Sequence, residues 1–114
     1  MDSNAVCLHN ATVYAGFSVM KNCAVYIKDG KIADVYNERR FKQKKFSPQV
    51  RIIDLMGASL LPGFIDTHIH GSGGYSTDDA SPEAILKMSE FLAENGVTSF
   101  IPTINASPEP ELMK

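Results

Sequence analysis

The chain has 114 residues, enough for one ordinary domain and well short of the roughly 250 that a complete eight-unit α/β barrel needs. Eleven Lys and Arg against 13 Asp and Glu leave a net charge of −2, so no global positive field is available to hold nucleic acid or an anionic membrane. Hydrophobic residues at 44% and charged residues at 21% are globular proportions, which excludes disorder as the main state.

The start, Met1-Asp2-Ser3-Asn4, has no basic leader region, and no apolar run approaches the ~20 residues of a membrane span, so the expected compartment is the cytoplasm. Residues 5–36 are β-rich, with Ala5–Leu8, Thr12–Ala15, Ala24–Lys28 and Lys31–Val35 as short strands. Asp29-Gly30 suits a tight hairpin turn that requires positive φ. Cys7 and Cys23 sit inside apolar stretches without metal-ligand spacing and are expected to be buried free thiols. His9 is expected to be an ordinary strand or surface histidine. The run Arg39, Arg40, Lys42, Lys44 and Lys45 has only Phe41 and Phe46 as apolar content and shows no helical stripe, so it predicts a solvated loop. Arg51–Leu55 and Ser59–Leu61 are further short strands. Charge changes sign near residue 50, the first 50 residues being net basic and the rest net acidic, which suggests two structural units.

After Pro62 the pattern changes to strand–helix–strand. Phe64–His70 predicts a strand, the segment Gly71–Ala80 a glycine-containing loop, and Pro82–Asn95 a helix. Ser81 is a good N-cap, Pro82 suits the first helical position, Glu83 complements the positive dipole end and Asn95-Gly96 supplies a left-handed stop. Ala84, Ile85, Met88, Phe91 and Leu92 recur at helical spacing and form one apolar face. Val97–Pro102 is the second strand, expected parallel to the first with a right-handed crossover. Ser107-Pro108-Glu109-Pro110-Glu111 reads as another helix start, so the chain is expected to be the N-terminal piece of a longer protein.

The chemistry concentrates in Pro62-Gly63-Phe64-Ile65-Asp66-Thr67-His68-Ile69-His70-Gly71. Side chains alternate on a strand, so Asp66, His68 and His70 share one face, while Ile65 and Ile69 share the other and are expected to pack under helices. Two imidazoles at i and i+2 stand about 6–7 Å apart at the backbone, and both rings can reach one ion at metal–nitrogen distances of about 2.0–2.1 Å. His68 and His70 are therefore candidate metal ligands, and Asp66, deeper on the same face, a candidate for orienting an imidazole or a neighbouring backbone group. Gly71-Ser72-Gly73-Gly74 lacks the Gly-Lys-Ser/Thr ending of a phosphate-binding P-loop.

Leu61–Gly71 resembles the strand with which the amidohydrolase superfamily opens its barrel after a small β-sandwich lobe. Val25–Lys28, Asp29-Gly30-Lys31-Ile32, Asp54 and Gly57 look like that lobe's N-terminal part. His70-Gly71-Ser72-Gly73-Gly74 and Asn95-Gly96-Val97-Thr98-Ser99-Phe100-Ile101-Pro102-Thr103 are most similar to the N-acetylglucosamine-6-phosphate deacetylase family. The resemblance implies an α/β fold, with residues 1–61 as part of a β-sandwich lobe and residues 62–114 as the start of a (β/α)8 catalytic barrel, incomplete in this chain. It implies metal-activated hydrolysis of an amino-sugar phosphate in a cytoplasmic full-length protein, a homodimer, with His68 and His70 as ligands to one or two divalent ions, zinc or iron. No catalytic residue is assigned within the chain beyond a supporting role for Asp66. A catalytic zinc needs three protein ligands, so two histidines imply that residues 1–114 alone are inactive. Two other readings stay open: an amidohydrolase acting on cyclic amides or aminopurines, and a non-catalytic β-rich interaction module.

Overall fold

The computed structural model describes residues 4–106. The chain divides into two compact units, Met1–Pro62 and Gly63–Lys114. In the first, Ala5–Ala15 (β1) and Ser18–Lys28 (β2) form an antiparallel hairpin, and Lys31–Asn37 (β3) continues the sheet on the far side of β2. Arg51–Asp54 (β4) and Ser59–Leu60 (β5) lie parallel to β1 on its other edge. Asp29 and Gly30 take φ of 51° and 72°, the double positive φ that their hairpin turn requires.

Where two short strands are expected between residues 5 and 15, the structure has one continuous strand. The interruption is a bulge: His9 and Asn10 together face Ala24 of β2, with Asn10 at φ 56°. A second bulge follows on β2, where Lys21 and Asn22 face Thr12 and Asn22 takes φ 51°. Asparagine tolerates this left-handed backbone better than other non-glycine residues, which is why each extra residue can be absorbed there. Each bulge swaps the faces of its strand. Ala5 and Cys7 therefore pack with Ala24, Tyr36 and Val50, whereas Ala11 and Val13 pack with Cys23 and Val25 in a separate cluster. Both thiols are buried and free, and burial pushes the Cys7 thiol pKa up.

The basic run is not a loop throughout. Glu38–Gln43 is a short helix (α1), capped by Asn37, whose Oδ1 accepts a hydrogen bond from the Arg40 N–H at 2.9 Å. A helix of six residues presents only one inward position, here Phe41, so no stripe exists for periodicity to detect. Phe41 stacks on the His9 ring at 4.5 Å between centroids, and Phe46 meets Tyr26, Tyr36 and Phe41. The charged side chains do face water, with the Arg40 guanidinium 5.1 Å from the centre of the Tyr36 ring.

In the second unit, Phe64–Ile69 (β6) and Val97–Pro102 (β9) pair in parallel around Pro82–Glu94 (α2). The expected helix signals operate: Ser81 Oγ accepts from the Ala84 N–H at 3.1 Å, Pro82 takes the first position and Gly96 turns at φ 81°. Ala84, Met88 and Leu92 are buried, but Phe91, expected in the apolar face, is 44% exposed and lies over Gly73. The segment expected to be a plain loop holds a small hairpin, Gly71–Ser72 (β7) with Tyr75–Ser76 (β8), and a 3-10 turn at Thr77–Asp79. Because α2 packs on β9 and on this hairpin, it leaves Ile65 of β6 67% exposed rather than covered as expected. Gly63 is needed for close approach, since a Cβ there would stand 2.0 Å from Thr98 Cγ2. The helix start expected at residues 107–111 lies outside the described residues.

Candidate metal-binding site

Strands β6 and β9 end together. The Thr103 N–H just after β9 donates to the Ile69 carbonyl at 2.8 Å, which fixes the level at which the two chains leave the sheet. His68, in β6, and His70, just beyond it, project here with ring centroids 5.0 Å apart and planes at 77°. The two imidazoles stand side by side, although the strand expected to run to His70 ends at Ile69 and its register with β9 is irregular between Asp66 and Ile69. Asp66 Oδ1 accepts a hydrogen bond from the His68 backbone N–H at 3.1 Å, so its carboxylate bears on the backbone of the residue that carries the first imidazole.

The chain after His70 folds back onto it. The His70 carbonyl accepts from the Thr77 N–H at 2.8 Å, from Thr77 Oγ1 at 3.0 Å and from Ser76 Oγ at 3.2 Å. Ser76 and Asp79 form a reciprocal capping box around the 3-10 turn. Asp78, between them, accepts from the Asn105 backbone N–H at 3.0 Å and from the Asn105 side-chain amide. These two bonds hold the Asp78 carboxyl below the usual carboxylate range, and the charge of nearby His70 adds to the effect. The Thr103 hydroxyl lies 3.5 Å from His68 Nδ1.

Sequence reasoning did not single out Thr77, Asp78 or Asn105. The Ser-x-x-Asp spacing of residues 76–79 is a legible capping signal, but the pairing of Asp78 with a residue 27 positions away has no local signature.

The donor set suits a borderline cation. His70 Nδ1 is buried without a hydrogen-bond partner among the described residues, although buried imidazole nitrogens ordinarily have one. A second ring stands beside it. Among the described residues no group of three or more His, Cys, Asp or Glu could hold a metal, so these two would supply only part of a coordination shell.

The sequence profile of the amidohydrolase family matches residues 59–114, the stretch that contains both histidines. The match takes in just under half of the chain and marks this segment as amidohydrolase-like. The chain is 44% identical over 85 residues to N-acetylglucosamine-6-phosphate deacetylase of Bacillus subtilis, a match that covers 75% of this chain and 20% of that protein. It is 32% identical over 106 residues to the deacetylase of the same name from Haemophilus influenzae, covering 92% of this chain and 26% of that one. The crystal structure of N-acetylglucosamine-6-phosphate deacetylase from Pasteurella multocida superposes with a TM-score of 0.83 at 27% identity, over 96% of this chain and 28% of the other. The amidohydrolase segment and the sheet before it therefore resemble an N-terminal portion of these enzymes, and the chain spans about a quarter of their length.

Proposed function

We propose that this chain is part of a metal-dependent deacetylase that hydrolyses the N-acetyl amide of N-acetylglucosamine 6-phosphate to glucosamine 6-phosphate and acetate. The observation that carries the reading is the pair of adjacent imidazoles, His68 and His70, at the C-terminal end of a parallel strand within an amidohydrolase segment. Parallel α/β barrels build their active sites at that end of their strands. In this reading residues 1–61 belong to a β-sandwich lobe and residues 62–114 open the catalytic barrel.

His68 and His70 would hold a divalent ion, zinc or iron, alone or as one of two. Such an ion lowers the pKa of a coordinated water and polarises an amide carbonyl. The chain's own residues contribute orientation. Asp66 fixes the backbone of His68, and the three donors on the His70 carbonyl set the direction in which its ring leaves the strand. A third ligand, the proton-shuttling carboxylate and the groups that grip the phosphate come from outside residues 1–114, so these residues alone do not turn over substrate. The full-length protein is proposed to be a cytoplasmic homodimer. Among the described residues no helix is long and apolar enough to cross a membrane.

The test uses the full-length protein with His68→Ala and with His70→Ala. Each is expected to lose bound metal and to lower deacetylation by at least about 100-fold, beyond the 10–100-fold effect of residues that only support ligands. Full turnover after both replacements would end the reading. A panel of acetylated sugar phosphates, cyclic amides and aminopurines decides the substrate, and hydrolysis confined to either of the last two classes would keep the metal site and replace the deacetylase assignment.

A further inference from the structure

Asp78 is exposed, yet both of its carboxylate oxygens are used by a single residue, Asn105. It belongs to the 3-10 turn whose first residue, Thr77, donates twice to the His70 carbonyl. Asn105 lies two residues beyond Thr103, whose N–H is bonded to the Ile69 carbonyl and whose hydroxyl faces His68 Nδ1. The contacts close a ring: from Ile69 and His70 through Thr77 and Asp78 to Asn105, and back through Thr103 to Ile69. The His70 backbone carbonyl lies on this ring, and the His68 imidazole meets it at the Thr103 hydroxyl. Three donors on the His70 carbonyl restrain the backbone at His70 only if the turn that carries them is itself held, and the turn is a surface loop. Two hydrogen bonds to an ionised carboxylate are the stronger kind of tether.

We propose that Asp78 is a positioning residue: its two-point clasp on Asn105 locks the turn that grips the His70 carbonyl, and so presets His70 beside His68 for one divalent cation. This rests on the metal reading of the histidine pair. An exposed carboxylate adds little to global stability, so its removal is expected to alter the placement of the rings while the fold stays intact.

The experiment measures zinc binding to the metal-stripped full-length protein by isothermal titration calorimetry, with thermal unfolding as the control for folding. Asp78→Ala is expected to weaken zinc binding by about 10-fold, as loss of support for a ligand does, and Asn105→Ala, which keeps the backbone bond, by a smaller but measurable factor. The double variant is expected to be no weaker than Asp78→Ala, which already loses both bonds of the clasp. The exchange Asp78→Asn with Asn105→Asp keeps an acceptor at 78 for the backbone N–H and re-forms the side-chain pair with roles reversed, so affinity is expected to return. At saturating zinc, kcat is expected to recover in Asp78→Ala, as it would not if Asp78 took part in the chemistry. Unchanged zinc affinity in Asp78→Ala beside a tightly binding parent, or additive losses in the double variant, would overturn the proposal and leave the metal site standing. A parent protein that binds no zinc would overturn the metal reading, and this inference with it. If Asp78→Ala fails to fold, Asn105→Ala, which removes only one amide side chain and keeps the backbone donor, decides in its place: weakened zinc binding is expected, and unchanged affinity would overturn the proposal.

Discussion

Asn10 and Asp54 show how single side chains set the path of the first sheet. Asn10 donates from its amide to Asp54 Oδ1 at 2.9 Å, the Met56 N–H donates to the same oxygen at 2.8 Å, and the Gly57 N–H donates to the Asn10 carbonyl at 2.7 Å. The bulge in β1 is thereby laced to the connection between β4 and β5. The Met56 N–H and then the Asn10 amide hold the Asp54 carboxyl below its usual range. A depressed carboxyl stabilises the fold at pH above its unfolded value of about 4, and the contribution is lost as the pH falls through the lower folded value. Urea midpoints of the parent and Asp54→Asn chains are therefore expected to converge as the pH drops below about 4, and a gap that stays constant would contradict this. Gly63 is the second sensitive position. Gly63→Ala is expected to destabilise by about 1–3 kcal/mol, because the new methyl overlaps Thr98, a β-branched residue with little rotamer freedom. Adding Thr98→Ala should recover only part of the loss in chemical denaturation, since Thr98 Cβ itself would stand 2.7 Å away.

At the level of elements, the two helices depend on different things. The 13-residue α2 has an amphipathic repeat, an N-cap, a first-turn proline and a glycine stop, so local chemistry and packing agree. Ser81→Ala is expected to lower stability by about 1 kcal/mol, the usual contribution of such a cap, measurable as a shift in thermal midpoint. Helix α1 is too short to persist by propensity and is held by Phe41, which packs between His9 and Phe46. Phe41→Ala is expected to destabilise by about 1–3 kcal/mol, less than for a fully buried phenylalanine because Phe41 is only half-buried, and to melt α1. Retained amide protection across residues 38–43 in that variant would show that the helix does not need the aromatic anchor.

For the whole molecule, the second unit exposes Phe64 at 70%, Ile65 at 67% and Ile101 at 55% on its two-stranded sheet. A two-stranded sheet with uncovered apolar side chains and open edges tends to pair with other chains. Residues 1–114 expressed alone are accordingly expected to self-associate with rising concentration, and a monodisperse monomer by analytical ultracentrifugation across the micromolar range would contradict this. The same preparation is expected to show no deacetylation at any zinc concentration, because two imidazoles do not complete a catalytic shell.

Much was decided by sequence alone, and the reason is periodicity. A period of two brought the rings of His68 and His70 together, a period of 3.6 with caps at both ends placed α2, and Asp29-Gly30 placed a turn that only positive φ allows. Tertiary structure decided whatever depends on a partner far along the chain. The two asparagine bulges that exchange the faces of β1 and β2 are set by cross-strand register. The helix around Phe41 forms on an aromatic cluster built by other strands. The exposure of Ile65 follows from where α2 comes to rest. The bond between Asp78 and Asn105 joins two loops that only the parallel pairing of β6 with β9 brings together, and no local pattern of residues encodes a contact of that range.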